Sequence, residues 1–513
     1  MLMTSQDYRE SLRRYQPRVF VDGRRIDSVT DAPAFVPGIN AIGVTYDLAL
    51  KRDHQPVMTA HQGTSGQTVN RMLHIDATSQ DLLYKLEAVR LVCREAGCAQ
   101  RYLTHDAFNA IFEATCRADD AHGTEYHDRF VAYMHGVQEQ DLTLAVAMTD
   151  AKGDRSRRPG QQTNEDVYVH ITERRPDGIV IRGCKAIVTG APYVHGFLVM
   201  PCRSHTADDA RFAVCCAVPV DAEGVTIVAR PAGRPGEAAA TFSNKYGQST
   251  GVVIFDDVFV PHERVFLAGE HEEGSYLTTS YATHHRHSCI GARAGFGDLL
   301  IGAGALMSEA NGLDPEHHGN IREAMVELIT IVEGFYACGV AASVYCTHGL
   351  AGSATPDAVF ANIGKLLLAT KIYDMHRLAH HVSGGLIVAL PGPDEDHNPE
   401  TKASLTALLT GRPDIPAERR LEVARLIEDL TASYQAGWYS VISLHGGGSP
   451  EAMKREIWRN YPVADKAAFV ERLLDRGVID QGQKLSKQPG RCCITGCEVP
   501  APPPAHGAQQ SDP

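Results

Sequence analysis

Apolar residues at Leu82, Leu83, Leu86, Val89, Leu91 and Val92 return at the three-to-four-residue interval of a helix, and the run stops at Gly97. The pattern predicts a helix over residues 81–96. A second stripe, Phe108, Ile111, Phe112 and Ala114, starts near His105, so residues 1–138 read as a helical N-terminal domain. The texture then changes. Short β-type runs at 166–172, 178–182, 197–200, 212–218 and 251–255 alternate with turn signals, and 255–261 closes a middle β domain over 139–272. Long helical patterns return from Tyr281 at 321–350, 358–381 and 417–439, broken by a Pro/Gly-rich acidic loop at 390–399. They define a C-terminal helical bundle over 273–480. A Pro-rich stretch without periodicity, 481–513, reads as a disordered tail.

Composition narrows the classes of partner. A net charge of −13 over 513 residues, with both signs interspersed, offers no basic surface for nucleic acid or for a membrane. The first residues lack a basic segment followed by an apolar run, and no stretch of about 18 uncharged apolar residues occurs later, so a cytoplasmic location is expected. The 13 cysteines are odd in number and scattered, as expected of core thiols in a reducing compartment. Cys492, Cys493 and Cys497 are grouped like a metal knuckle but have no second ligand pair.

Chemistry concentrates where β character gives way to helix, in His284-His285-Arg286-His287-Ser288-Cys289. His285 and Cys289 stand four apart, on one helical face, which suits either two ligands of a metal or a polar helix start whose imidazoles cap backbone groups. Three loops offer donors. Residues 148–156 carry Met148, Thr149, Asp154, Arg155 and Ser156 around Gly153, a composition suited to a flavin edge or a pyrophosphate, or to a solvated turn. Thr189, Gly190 and Ala191 place a hydroxyl beside permissive backbone at a strand end. His445, Gly446, Gly447 and Gly448 precede Ser449-Pro450, so main chain can wrap an anionic group ahead of a helix N-terminus.

Taken in order, Gly153 to Ser156, Lys185 to Ala191, the run 255–261, His285-Arg286 with Gly297-Asp298, Gly384-Gly385-Leu386 and His445 to Pro450 resemble the 4-hydroxyphenylacetate 3-hydroxylase family of flavoproteins. Within it they are nearer the 4-hydroxybutyryl-CoA dehydratase/vinylacetyl-CoA isomerase branch. The resemblance implies an α+β, acyl-CoA dehydrogenase-like fold, with a β-barrel-like middle domain, assembled as a homotetramer. It also implies FAD held by the three loops. The dehydratase branch is expected to hold a four-iron cluster on three cysteines and one histidine. Cys98 and His285 match two of those positions, but Tyr102 and Ala292 occupy the others, so no cluster and no other metal is expected here. Thr250 stands where that branch carries a glutamate, and Cys289 where it carries a tyrosine.

The hydroxylase branch implies an arginine and a tyrosine four residues apart, plus a histidine shortly before the 148–156 loop. Tyr102 matches the tyrosine, whereas Cys98 replaces the arginine and Leu144-Ala145-Val146 lacks the histidine. His105, His284, His285 and His287 are the candidates to replace it. The resulting expectation is an FAD-dependent oxidoreductase, a two-component monooxygenase. Reduced flavin from a separate flavin reductase and O2 would hydroxylate a small phenolic or similar substrate. His285 would be base or orienting group, Tyr102 a substrate hydrogen-bond partner and Arg286 an anion contact. The alternative is a dehydratase or Δ-isomerase acting on a CoA ester.

Overall fold

The computed structural model describes residues 2–233, 237 and 239–475. The tail read at 481–513, with Cys492, Cys493 and Cys497, lies outside the described residues. One compact unit ends at Tyr461, and the helix Val463–Asp475 falls in a second.

The α+β order of helices, sheets and helices holds in the first unit. Helix Ser79–Ala96 opens on a capping box, in which Thr78 Oγ1 accepts from Asp81 N and the Asp81 carboxylate accepts from Thr78 N. It stops at Gly97, whose φ of +68° favours glycine. Helix Tyr102–His122 comes next, almost entirely buried along its first three turns.

The N-terminal segment is more than helical. Strands Val19–Val21 and Arg24–Ile26 form one edge of a six-stranded sheet that continues through Val225–Arg230, Thr250–Pro261, Gly178–Thr189 and His170–Arg175. Three-residue strands are too short to leave a period-2 signature in sequence, and Val19–Val21 gains its place by pairing parallel to Val225–Arg230. A four-stranded sheet runs Val265–Ala268, Val214–Pro219, Gly196–Val199 and Leu144–Ala147. Its members are almost wholly buried, which explains their unbroken apolar runs.

The helical half is organised on His271–Ala310, a 40-residue helix. It begins ten residues before Tyr281, so His284 to Cys289 lie inside the helix and not at its start. The position is tenable because buried partners from other elements meet most of these polar side chains. Glycines set its distance from Ser79–Ala96: a Cβ at Gly291 would stand 2.7 Å from Leu86 O, and one at Gly295 would collide with the Arg90 carbonyl. Helices Gly319–Val344 and Ala358–Ser383 pack on its other sides. The span 417–439 divides into Ala417–Thr431 and Tyr434–His445, because Ser433 caps the second helix by accepting from Gln435 N and Ala436 N. Two helices, His271–Ala310 and Gly319–Val344, are long and apolar enough to span a bilayer by length and composition. The most apolar stretch of the first is 67% buried within the protein, as befits its central helix.

Candidate active site

Two cavities meet at His285. The larger, about 1120 Å³, is a cleft reached by all three sequence-identified loops. The smaller, about 40 Å³, is an inner chamber lined by Cys98, Tyr102, Cys289, Ala292, Arg293 and Lys365 among others. His285, Leu103, Thr189, Trp438, Ile442 and Gly446 belong to both walls and form the neck between them.

His285 is fixed from behind. Its Nδ1 lies 3.1 Å from Asp106 Oδ2, so the carboxylate accepts the Nδ1 proton and Nε2 is left facing Cys289 Sγ at 3.6 Å. Tyr281 and Tyr102 lie nearly parallel to the imidazole on separate contacts, with centroids at 5.4 and 6.2 Å. Burial disfavours the imidazolium, but Cys289 and Asp106 outweigh it, and His285 is raised to about 9. Asp106 is fully buried yet stays ionised, because Lys85 Nζ at 3.1 Å, His105 and His285 overcome the cost of burial. Ser288 donates to its other oxygen at 2.6 Å.

The four candidate histidines therefore separate. His105 is tied to Asp76 at 3.2 Å, and His287 is held by Ser343, Gly339 O and Lys85. His284 is buried with both ring nitrogens unpartnered, and burial lowers it to about 3. His285 alone among the four lines the cavities.

Tyr102 borders the chamber with its hydroxyl 3.8 Å from Cys98 Sγ, and burial holds its phenol well above the usual range, so it is a neutral donor. Arg286 faces the cleft, but its guanidinium is engaged: Nε donates to Gly447 O at 2.9 Å and Nη1 to Asn362 Oδ1 at 2.7 Å. It fastens the glycine loop more directly than it offers a free anion contact. Gly447 and Gly448 have φ of +75° and +105°, and Ser449 caps the next helix, Pro450–Asn460.

The loops reach the cleft selectively. Met148, Thr149, Arg155, Thr189 and the run His445 to Gly448 line it. Asp154, Ser156, Gly190 and Ala191 do not: Asp154 accepts from Ser156 N and Oγ to close a local turn, and Gly190 N donates to Ser249 O. Lys185 sets the loop's origin from behind through Asp150 and the Met148 and Met200 carbonyls.

Sequence reasoning missed Lys85, Asp106, Arg230, Arg293, Lys365 and Trp438. Lys365 did leave a trace, as the lone charge ahead of Leu366-Leu367-Leu368, where a helix interior would otherwise be apolar. Thr250, at the position of the missing glutamate, accepts from Trp438 Nε1 at 2.9 Å on the cleft wall.

The donor set fits FAD. The cleft is ample for a dinucleotide, and Lys152 and Arg155 stand on its wall for a pyrophosphate. Arg230 also lines it with a buried Nε that has no partner among the described residues. The same test fails for a four-iron cluster. All four template positions, Cys98, Tyr102, His285 and Ala292, do face one chamber. Two lack a soft ligand, and the cations Arg293 and Lys365 line the same wall.

A helical–β–helical subunit with a dinucleotide-sized cleft and a histidine–aspartate pair beside it defines a class, and comparison with known proteins places the chain within it. The family model described as 4-hydroxyphenylacetate 3-hydroxylase N terminal matches residues 4–267, and the C-terminal model matches 275–475. The chain belongs to this family. It is 34% identical to a 4-hydroxybutyryl-CoA dehydratase/vinylacetyl-CoA-Δ-isomerase of Clostridium aminobutyricum, over 92% of this chain and 99% of that one. It is 25% identical to the oxygenase component of 4-hydroxyphenylacetate 3-monooxygenase of Thermus thermophilus, over 92% and 97%. Among solved structures, an oxygen-tolerant archaeal 4-hydroxybutyryl-CoA dehydratase from N. maritimus superposes with a TM-score of 0.89 at 32% identity, covering 95% of this chain and 98% of that one. The oxygenase component of 4-hydroxyphenylacetate 3-monooxygenase complexed with FAD superposes at 0.83 and 22% identity, covering 92% and 98%, and shares the fold.

Proposed function

We propose that the protein is a cytoplasmic FAD-dependent oxidoreductase, the oxygenase component of a two-component monooxygenase that hydroxylates a small substrate. One observation carries the reading: His285, backed by Asp106, stands at the neck between a dinucleotide-sized cleft and a small inner chamber. Thr149, Arg155, Thr189, Arg230 and Gly446 to Gly448 would hold FAD, which when bound and reduced supplies the activation of dioxygen. The chain's own residues do the rest. Raised to about 9, His285 is an imidazolium at neutral pH and favours the ionised, electron-rich form of a substrate oxygen placed against it. Tyr102 donates a second hydrogen bond, and Leu103, Ile442 and Trp438 keep water from the neck.

The test is oxygen consumption by the FAD-loaded protein with a reductase, NADH and a panel of small phenols and hydroxy acids. Substrate-dependent uptake matched by a hydroxylated product is expected, and lost in His285→Gln. Uptake released wholly as hydrogen peroxide for every substrate would sink the proposal. The greater identity to the Clostridium aminobutyricum enzyme favours a second reading, CoA-ester isomerisation or dehydration without a cluster. Turnover of vinylacetyl-CoA by anaerobically purified protein would establish it. Iron at about four per subunit there would refute the mismatch found in the chamber. A homotetramer is proposed from the apolar outer face of Gly319–Val344, where Val326, Ile329 and Val340 are exposed. Its solution mass by light scattering decides.

A further inference from the structure

The inner chamber holds two cations that have no carboxylate within salt-bridge range among the described residues. Arg293 is 4% exposed and Lys365 fully buried, on separate helices, His271–Ala310 and Ala358–Ser383. Both donate to one residue, Arg293 Nε to Ser443 Oγ and Lys365 Nζ to the Ser443 carbonyl, and Arg293 also reaches the Cys98 thiol. Arg293 Nη1 is buried with no partner. The groups acting electrostatically on the two are Cys98, Tyr102, Cys289, Cys93 and one another, with Arg286 behind Lys365; none is a carboxylate. Three other buried cations have acids: Lys85 has Asp106, Arg101 has Asp141 and Lys185 has Asp150. Buried cations short of counter-charge are expensive, so the cluster is best explained by an anion that comes from outside.

We infer that the chamber is a carboxylate-binding subsite in which Arg293 and Lys365 seat the acid group of a short substrate whose reacting part stands at the His285 neck. Size supports the match. A space of about 40 Å³ is small, suited to a carboxylate on a short chain and not to a ring. A planar guanidinium with a free Nη1 suits two acceptor oxygens on one carbon, and an ammonium on the facing helix completes the grip. Cys98, its thiol lowered to about 6 by Cys93 and Arg293, and Cys289, lowered by His285 against the effect of burial, supply up to two thiolates against three cations, Arg293, Lys365 and His285, so one positive charge is left for the guest. The inference rests on the proposed function only in taking this guest to be the substrate.

Binding is measured on the FAD-loaded protein in chloride-free buffer, in a Trp458→Phe background. The sequence has two tryptophans, so this leaves Trp438, on the chamber wall, as the reporting indole. The probes are acetate, propionate and butyrate against acetamide, propionamide and butyramide. Acids are expected to change the indole emission and raise the melting temperature. The amides, equal in shape and uncharged, should bind at least about tenfold more weakly. Lys365→Met and Arg293→Met should each weaken acid binding by at least about tenfold, while Lys365→Met raises the melting temperature of the ligand-free protein by removing an unpaired buried charge. Equal binding of acids and amides, no response to either, or undiminished acid binding in Lys365→Met overturns the subsite. If a variant fails to fold, the acid–amide comparison on otherwise native chain still decides. Acid binding without any oxygen-dependent product would refute the oxygenase reading and leave the subsite standing.

Discussion

His285 shows how one side chain can be specified by partners remote in sequence. Asp106, 179 residues away, orients the ring, and Lys85 keeps that carboxylate ionised in a fully buried setting. Asp106→Asn would leave Lys85 and the imidazolium without their acid, and should cost about 3–5 kcal/mol of stability in denaturant unfolding. Catalysis should carry the same signature in its pH dependence. If the imidazolium is the working form, kcat/KM falls as pH rises through about 9. Cys289→Ala removes the largest influence favouring the charged ring, so burial gains ground and the fall moves to lower pH. An unmoved profile would show that another group titrates. His285 was legible from the sequence as the centre of the site, through its motif and the resemblance. Asp106 and Lys85 were not, since a charged residue on a helical stripe ordinarily signals a solvated face, and only the packing of three helices turns these two inward.

At the scale of elements, sequence patterning worked where an element is long and one-sided. The apolar recurrence and the stop at Gly97 locate Ser79–Ala96 to within about two residues at its start. It failed for Val19–Val21 and Arg24–Ile26, which are strands by virtue of a neighbour far along the chain. It also misplaced the start of His271–Ala310, because Tyr276 and Leu277 stand among polar residues from His271 to Ser280 and leave no apolar period. What fixes that helix is backbone approach at Gly291 and Gly295. Gly295→Ala would drive a methyl into the Arg90 carbonyl, and should destabilise the protein by about 1–3 kcal/mol, read as a lower melting temperature. Gly302→Ala, where nothing lies within 4 Å of the added carbon, is the matched control and should hold or gain stability.

For the molecule as a whole, buried histidines set the pH window of stability. Burial lowers His195 and His284 to about 3 and His205 and His376 to about 4, against 6.5 for a free imidazole. Between those values the unfolded chain binds the protons, so the stability these groups contribute above 6.5 is lost as pH falls. His285 is the opposite case: its contribution is complete below 6.5 and is lost as pH rises through about 9. Melting temperature should therefore peak near neutrality and fall more steeply on the acid side; a flat acid limb would mean that these rings are solvated. The fold and the flavin-type loops were legible in sequence because they form an ordered series of motifs, whereas the two-cavity plan arises only when five helices and two sheets converge. One consequence concerns how such a protein can change over time. His285, Arg286, Cys289, Ala292 and Arg293 lie on one unbroken helix, between glycines that fit it against its neighbour, and each added or lost residue would rotate the remainder of the helix by about 100°. The chemistry here is free to be rewritten letter by letter, as Tyr102 and Ala292 illustrate, but its spelling tolerates no insertion or deletion.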